Sequence, residues 1–149
     1  MFSNLFQCSS VACSFDKTTN LSISIFEIFV LVLGLVIIPL IMRFDKKALA
    51  KFGTILLGVF IFEFFTSPMW NNYHMGAWSY AYQDVSWILT LGWSIMIFFI
   101  VTVIDRLLPK MREARRFFLY LLLLTPIAVL FEALVIKIGI RTYSPEVLS

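Results

Sequence analysis

Charged residues are scarce in this chain of 149 residues. Asp, Glu, Lys and Arg make up 14% of it, whereas a typical soluble domain carries about 25%. Hydrophobic residues make up 60%, and the mean hydropathy is +0.91. A soluble domain of this size needs far more polar surface, so the composition excludes that class and indicates an integral membrane protein.

The motifs of many soluble enzymes are also missing. The sequence has no Gly-rich phosphate loop and no GxSxG, HExxH or CxxC motif. Its only two cysteines, Cys8 and Cys13, and its only histidine, His74, do not form a zinc-binding pattern. The cysteines form a disulfide in an oxidising compartment or stay as two free thiols. We therefore expect neither a metal site nor a cofactor.

Four apolar runs are present, at about 21–42, 50–67, 85–104 and 117–138. Each is close to the roughly 20 residues that a helix needs to cross a membrane. The runs do not alternate with polar residues, which excludes a barrel and leaves helices. The sequence predicts an all-α integral membrane protein with four transmembrane helices in an up-down bundle. This membrane domain, 21–138, would lie between an N-terminal tail at 1–20 and a C-terminal end at 139–149.

Basic residues are absent between Lys51 and Arg106. Nine of the twelve Lys and Arg residues fall in two loops, 43–51 and 105–116. The positive-inside rule makes these loops cytoplasmic in the cell membrane and puts both termini outside. The net charge of +3 then belongs to a collar that faces membrane lipids, so we expect no binding of nucleic acid.

Three glutamates, Glu27, Glu63 and Glu132, each stand within an apolar run. With a rise of ~1.5 Å per residue, all three fall roughly 6–10 Å below the external surface. Carboxyl groups in hydrocarbon are costly and usually mark a functional site. The sequence predicts one acidic layer in which Glu63 and Glu132 act as acid and base and Glu27 orients them. The alternative is that these residues only fix helix packing.

The external loop 67–84 combines aromatic and amide side chains, and a Ser/Thr stripe follows it on the third helix. Aromatic residues of this kind form a belt at the membrane surface or a lid over a pocket for an apolar or cationic ligand. Ser86, Thr90 and Ser94 recur every fourth residue and so share a face. The predicted substrate-binding residues are Trp70, Tyr73, His74, Trp78, Tyr80, Asp84 and Trp87.

Three functions fit this pattern. The first is acid-base chemistry on, or binding of, a lipid or isoprenoid-like substrate, in a pocket similar in general terms to those of small polytopic membrane isomerases and carotenoid cyclases. The second is a proton- or cation-coupled small transporter assembled as a homo-oligomer, since small multidrug transporters also combine four spans with a membrane glutamate. The third is a non-catalytic membrane subunit or assembly factor. No motif decides whether the chain is an enzyme.

Overall fold

The computed structural model describes residues 19–143, and this part of the chain is mostly helical. Each of its four long helices is long and apolar enough to span a membrane, which confirms the predicted number. Relative to the sequence prediction, the third helix starts two residues later and the fourth starts four residues earlier. The helices are α1 (Leu21–Met42), α2 (Ala48–Thr66), α3 (Trp87–Leu107) and α4 (Glu113–Lys137).

The helices run alternately up and down. Loop residue Gly76 contacts Glu27 near the start of α1, whereas Lys51 near the start of α2 contacts Asp105 near the end of α3. We call the first end, with residues 67–86 and 138–143, the cap end. The other, with residues 43–47 and 108–112, is the basic end. Which membrane face each end occupies stays a prediction.

Helix α3 lies at the centre and packs against α1, α2 and α4. Its small Gly92 allows close approach of Val30 from α1 and Phe131 from α4. In the most apolar stretch of α3, 44% of the residues are buried, against 6% in α4. Helix α4 is therefore a peripheral helix held mainly on one side, which leaves a groove between it and α2.

The cap end is not helical throughout. Four short strands form there: β1 (Trp70–Asn72), β2 (Tyr80–Tyr82), β3 (Val85–Ser86) and β4 (Arg141–Tyr143). Strand β1 pairs with β4 and β2 with β3, both antiparallel. The all-α prediction therefore holds for the long apolar segments but misses the cap, including residues 85–86, which form β3 and not the start of the third helix. The tail residues Cys8 and Cys13 lie outside the described residues.

Gly139 explains how β4 reaches β1. Its φ of +82° is left-handed, a conformation that glycine adopts at helix ends without strain. The N–H of Ile140 then donates to the carbonyl of Val135 at 3.0 Å, so the chain turns back over the bundle. The register places Arg141 opposite Asn72 and Tyr143 opposite Trp70. Because side chains alternate along a strand, these four residues share one face of the β1–β4 pair.

Candidate functional site

Arg141 joins two of the three predicted glutamates. Its Nη2 lies 3.4 Å from Glu63 Oε1 and its Nη1 lies 3.3 Å from Glu132 Oε2. The arginine side chain is 3% exposed. We call Glu63, Arg141 and Glu132 the ion cluster. The cation between the two carboxylates offsets the repulsion that an all-acidic layer would have.

Strand β1 fixes the orientation of the guanidinium. Arg141 Nε donates to Asn72 Oδ1 at 3.0 Å, and the amide Nδ2 of Asn72 donates to the backbone carbonyl of Asp84. The guanidinium also lies 4.4 Å from the centre of the Trp70 ring, a cation–π contact. A planar guanidinium with this many defined partners has little freedom to rotate. Arg141 is therefore a rigid part of the site.

Glu63 is the more enclosed carboxylate. Its side chain is 3% exposed, and Thr90 Oγ1 lies 2.8 Å from its Oε2. The same hydroxyl lies 3.0 Å from the Ser86 carbonyl, and Ser94 donates to the Thr90 carbonyl at 2.6 Å. The Ser/Thr stripe thus contacts Glu63 through Thr90. With Arg141 and Thr90 as partners, Glu63 is held in one position.

Glu132 is the more accessible carboxylate, with 19% of its side chain exposed. The Tyr143 hydroxyl donates to its Oε1 at 3.2 Å. Burial, followed by the negative charge of Glu132, raises the pKa of Tyr143 above its ordinary value of 10.0. Tyr143 therefore stays protonated at neutral pH and serves as a hydrogen-bond donor.

Titration of Tyr143 predicts a loss of stability in alkali. A raised pKa means that the folded state favours the phenol, so its contribution is complete below pH 10 and is lost as pH rises through the folded-state pKa. We expect the melting temperature to fall less steeply above pH 10 in Tyr143→Phe than in wild type. Melting curves between pH 9 and 12, with Tyr82→Phe as a more exposed control, measure this; equal slopes for wild type and Tyr143→Phe would contradict the assignment.

Glu27 does not belong to the ion cluster. It is buried within α1, and its Oε1 accepts a hydrogen bond from the Gly76 N–H at 2.9 Å. Gly76 has no room for a Cβ atom, which would collide with the indole ring of Trp78. Glu27 therefore holds the cap loop onto α1 through residue 76, a position where only glycine fits.

Replacing Glu27 by leucine should lower the free energy of unfolding by about 1–3 kcal/mol, because the buried Gly76 N–H loses its acceptor. Glu27→Gln keeps an acceptor oxygen and should lose less. Thermal melting in detergent distinguishes the two variants. If the leucine variant is at least as stable as the glutamine variant, the hydrogen bond does not anchor the cap.

The remaining predicted residues lie in the cap in two groups. Trp78 and Trp87 contact each other edge to face, with ring centres 5.5 Å apart, and Trp87 Nε1 donates to the Trp78 carbonyl at 2.7 Å. Tyr80 donates through its hydroxyl to the Asn72 carbonyl at 3.0 Å. Within this group, Tyr80 supports β1 through that hydrogen bond.

The second group lies where β1 and β4 leave the pair. The Tyr73 ring lies beside His74, with centres 6.2 Å apart, and the Tyr73 N–H donates to the Ile140 carbonyl at 2.7 Å. Asp84, between β2 and β3, is buried, and its carbonyl accepts a hydrogen bond from the Asn72 side-chain amide. Of the seven predicted substrate-binding residues, only Trp70 lines the main cavity of the site, and the other six lie outside it.

That cavity, of about 490 Å³, lies between α2 and α4. Trp93 and Ile97 of α3 form its floor, and the ion cluster lies at its cap end. Phe62 and Val129 line it yet remain 61% and 63% exposed, so the groove opens sideways towards the surroundings of the helices. The lining residues are Gly58, Val59, Phe62, Glu63, Trp70, Trp93, Ile97, Ala128, Val129, Glu132, Arg141 and Tyr143.

Sequence reasoning missed Arg141, Tyr143 and Trp93 as site residues. For Arg141 a signal existed: it is a basic residue nine positions after Glu132, at the end where the acidic residues had been placed. Buried carboxylates need a cationic partner, and a basic residue at that position is a candidate for it. Trp93 had no signal beyond its place on an apolar helix.

The described residues, 19–143, contain no group of three or more His, Cys, Asp or Glu side chains arranged to hold a metal ion. Comparison with protein-family models, with curated proteins and with solved structures finds no significant match to this chain.

Proposed function

We propose that this protein binds a lipid or isoprenoid-like substrate in the groove between α2 and α4 and carries out acid-base chemistry at the ion cluster. The observation that carries the proposal is the continuity of the cavity. One space of about 490 Å³ joins an apolar groove to two carboxylates, a guanidinium and a phenol. An amphiphile has the same two parts, a long apolar body and a polar end.

The dimensions and position of the groove suit such a molecule. Its volume is within the ~300–1,000 Å³ of small-molecule sites, which are also mainly apolar with a few polar groups. Its side opening, at Phe62 and Val129, lies on helices long enough to span a membrane. A lipid-soluble molecule can therefore enter from the bilayer without crossing water.

The charges of the ion cluster favour particular polar ends. With both carboxylates ionised the cluster carries one net negative charge, and Arg141 already contacts Glu63, Glu132 and Trp70. An added phosphate or carboxylate would meet the repulsion of the two glutamates. A hydroxyl or a cation would be attracted, so the expected ligand has a neutral or cationic end.

Glu132 is the residue best placed to exchange a proton with the ligand, since it lines the cavity and is more exposed than Glu63. Tyr143 would donate a hydrogen bond beside it. Trp93 and Trp70 line the cavity, and aromatic rings stabilise positive charge. This arrangement supports isomerase- or cyclase-type chemistry in which cationic charge develops. Glu63 would supply fixed negative charge, and Glu27 would act only through the cap.

Two glycines of α2 provide a matched test. Gly58 lines the cavity and Gly53 does not, yet neither would have an atom within 4 Å of an added Cβ. We expect Gly58→Leu to reduce the amount of co-purifying apolar ligand about tenfold, because overpacking costs more than about 1.4 kcal/mol. Gly53→Leu should leave it unchanged. Mass spectrometry of solvent extracts of the purified protein measures the ligand.

Equal ligand content in the two leucine variants would contradict the proposal. A wild-type extract that contains only bulk membrane phospholipids, in the proportions of the membrane, would also contradict it. Melting temperatures of both variants show whether either change has disturbed the fold.

A scaffold function is the second candidate, supported by one observation. Arg141 on β4 connects α2 through Glu63, α4 through Glu132 and β1 through Asn72, and so holds together three elements at the cap end. In that case the ion cluster serves only packing in a non-catalytic membrane subunit. Glutamine substitutions would then lower stability and leave cellular lipids unchanged.

Transport has weaker support. Among the described residues, the polar stripe of α3 ends at Ser94, and the next turn carries the buried apolar residues Ile95 and Phe98. A proton or cation would have to pass this layer.

The localisation that fits all candidates is the cell membrane, with the basic end on the cytoplasmic side. Accessibility of a cysteine introduced at Lys46 to a membrane-impermeant reagent tests that orientation.

A further inference from the structure

We infer a second lipid site, at the basic end, which binds a phospholipid with an anionic head group through Arg106 and Thr102. The site is a groove of about 490 Å³ between the ends of α1 and α3. It lies at the opposite end of the helices from the ion cluster and does not depend on the function proposed there. Its lining residues are Leu40, Ile41, Phe44, Asp45, Lys51, Phe99, Thr102, Val103, Asp105 and Arg106.

Thr102 is the first observation that points to a ligand. Its hydroxyl is shielded from solvent and, among residues 19–143, is the one buried side-chain polar atom without a hydrogen-bond partner. Buried hydroxyl groups almost always have a partner. Thr102 lines the groove, and rotation about its χ1 bond can turn the hydroxyl towards a bound ligand, which then supplies the acceptor.

Charge is the second observation. The acidic groups of the groove already have cationic partners: Lys51 Nζ lies 2.8 Å from Asp45 and 3.8 Å from Asp105, and Arg116 lies 3.3 Å from Asp105. The Lys51 ammonium is also the main reason that the pKa of Asp45 falls below its ordinary value of 3.8. Both acids are therefore neutralised internally.

Arg106 carries the positive charge that is left over. Within the described residues it forms no ion pair, and its guanidinium rests over the Phe44 ring at 4.5 Å. The surrounding segments 43–51 and 105–116 hold nine Lys and Arg against Asp45, Asp105 and Glu113. This excess favours an anion, and guanidinium groups bind phosphate well.

The spacing along α3 matches a phospholipid. Thr102 lies four residues before Arg106 and hence on the same helix face, about 6 Å closer to the membrane centre. The ester carbonyls of a phospholipid lie a few ångström below its phosphate, so one of them can accept the Thr102 hydrogen bond. The half-exposed Leu40, Phe99 and Val103 continue the groove as a surface for the acyl chain.

Native mass spectrometry with phosphatidylglycerol and phosphatidylcholine of identical acyl chains tests the site. We expect wild type to retain phosphatidylglycerol preferentially. Arg106→Gln should weaken that binding roughly fivefold, as expected for one charge near an anionic head group. Arg106→Lys should keep the preference, and Thr102→Val should weaken binding of both lipids roughly threefold through the lost hydrogen bond. Melting temperatures verify that the variants are folded.

Lys110→Gln is the matched control, because Lys110 belongs to the same basic collar but does not line this groove. It should leave binding at the wild-type level. The proposal is overturned if Lys110→Gln and Arg106→Gln have equal effects, which would indicate only a diffuse basic surface. It is also overturned if wild type retains the two lipids equally, or if inorganic phosphate displaces the lipid at equal concentration.

Discussion

Replacing Arg141 by methionine is expected to lower the free energy of unfolding by about 3–5 kcal/mol. The change removes the cation between Glu63 and Glu132 and leaves carboxylates in a site where the arginine is only 3% exposed. It also removes the hydrogen bond from Arg141 to Asn72 Oδ1 and the cation–π contact between Arg141 and Trp70. Thermal melting in detergent, by circular dichroism or fluorescence, measures the loss.

Removing the two carboxylate charges as well should rescue the Arg141→Met variant. Adding Glu63→Gln and Glu132→Gln to Arg141→Met removes the unpaired charges, and the triple variant should recover most of the lost stability. Arg112→Met, which changes an exposed arginine at the start of α4, should melt close to wild type. An Arg141→Met variant as stable as wild type would show that the ion cluster does not hold the cap.

Glu132→Gln is expected to lower turnover of the substrate by about 10²- to 10⁴-fold, the usual contribution of one general acid-base group. Glutamine keeps one acceptor oxygen for the hydrogen bond from Arg141, at 3.3 Å, and its NH2 can donate to the Tyr143 hydroxyl, 3.2 Å away. The fold should therefore change little. The assay is the lipid whose amount changes when the gene is deleted, measured after complementation with each variant.

Glu113→Gln is the control for this experiment, since Glu113 lies on the same helix at the basic end, away from the ion cluster. It should complement fully. Complementation by Glu132→Gln at the wild-type level, together with a lower melting temperature, would instead support the scaffold function.

The membrane part of the fold could be predicted because its physics is local. A helix in hydrocarbon needs about 20 apolar residues, and the four apolar runs satisfy that requirement without any knowledge of their neighbours. The same holds for Glu63 and Glu132. Each stands out by itself, and their shared depth follows from the helical rise. Their grouping, however, depends on a residue outside every span.

The cap could not be predicted, because it rests on contacts between distant parts of the chain. Strand β1 pairs with β4 across some 70 residues, and the pairing depends on the left-handed turn at Gly139. Three-residue strands carry too little alternation to be recognised. Glu27 shows the same limit: its depth placed it with the other two glutamates, but its neighbour is the Gly76 N–H.

The most direct test of the account is a structure of the protein in a lipid nanodisc at a resolution that shows side chains. The groove between α2 and α4 should contain elongated density over Trp93 and Ile97, ending within hydrogen-bond distance of Glu132 or Tyr143. Direct packing of α2 against α4, or a helix from a second copy in the groove, would contradict substrate binding there.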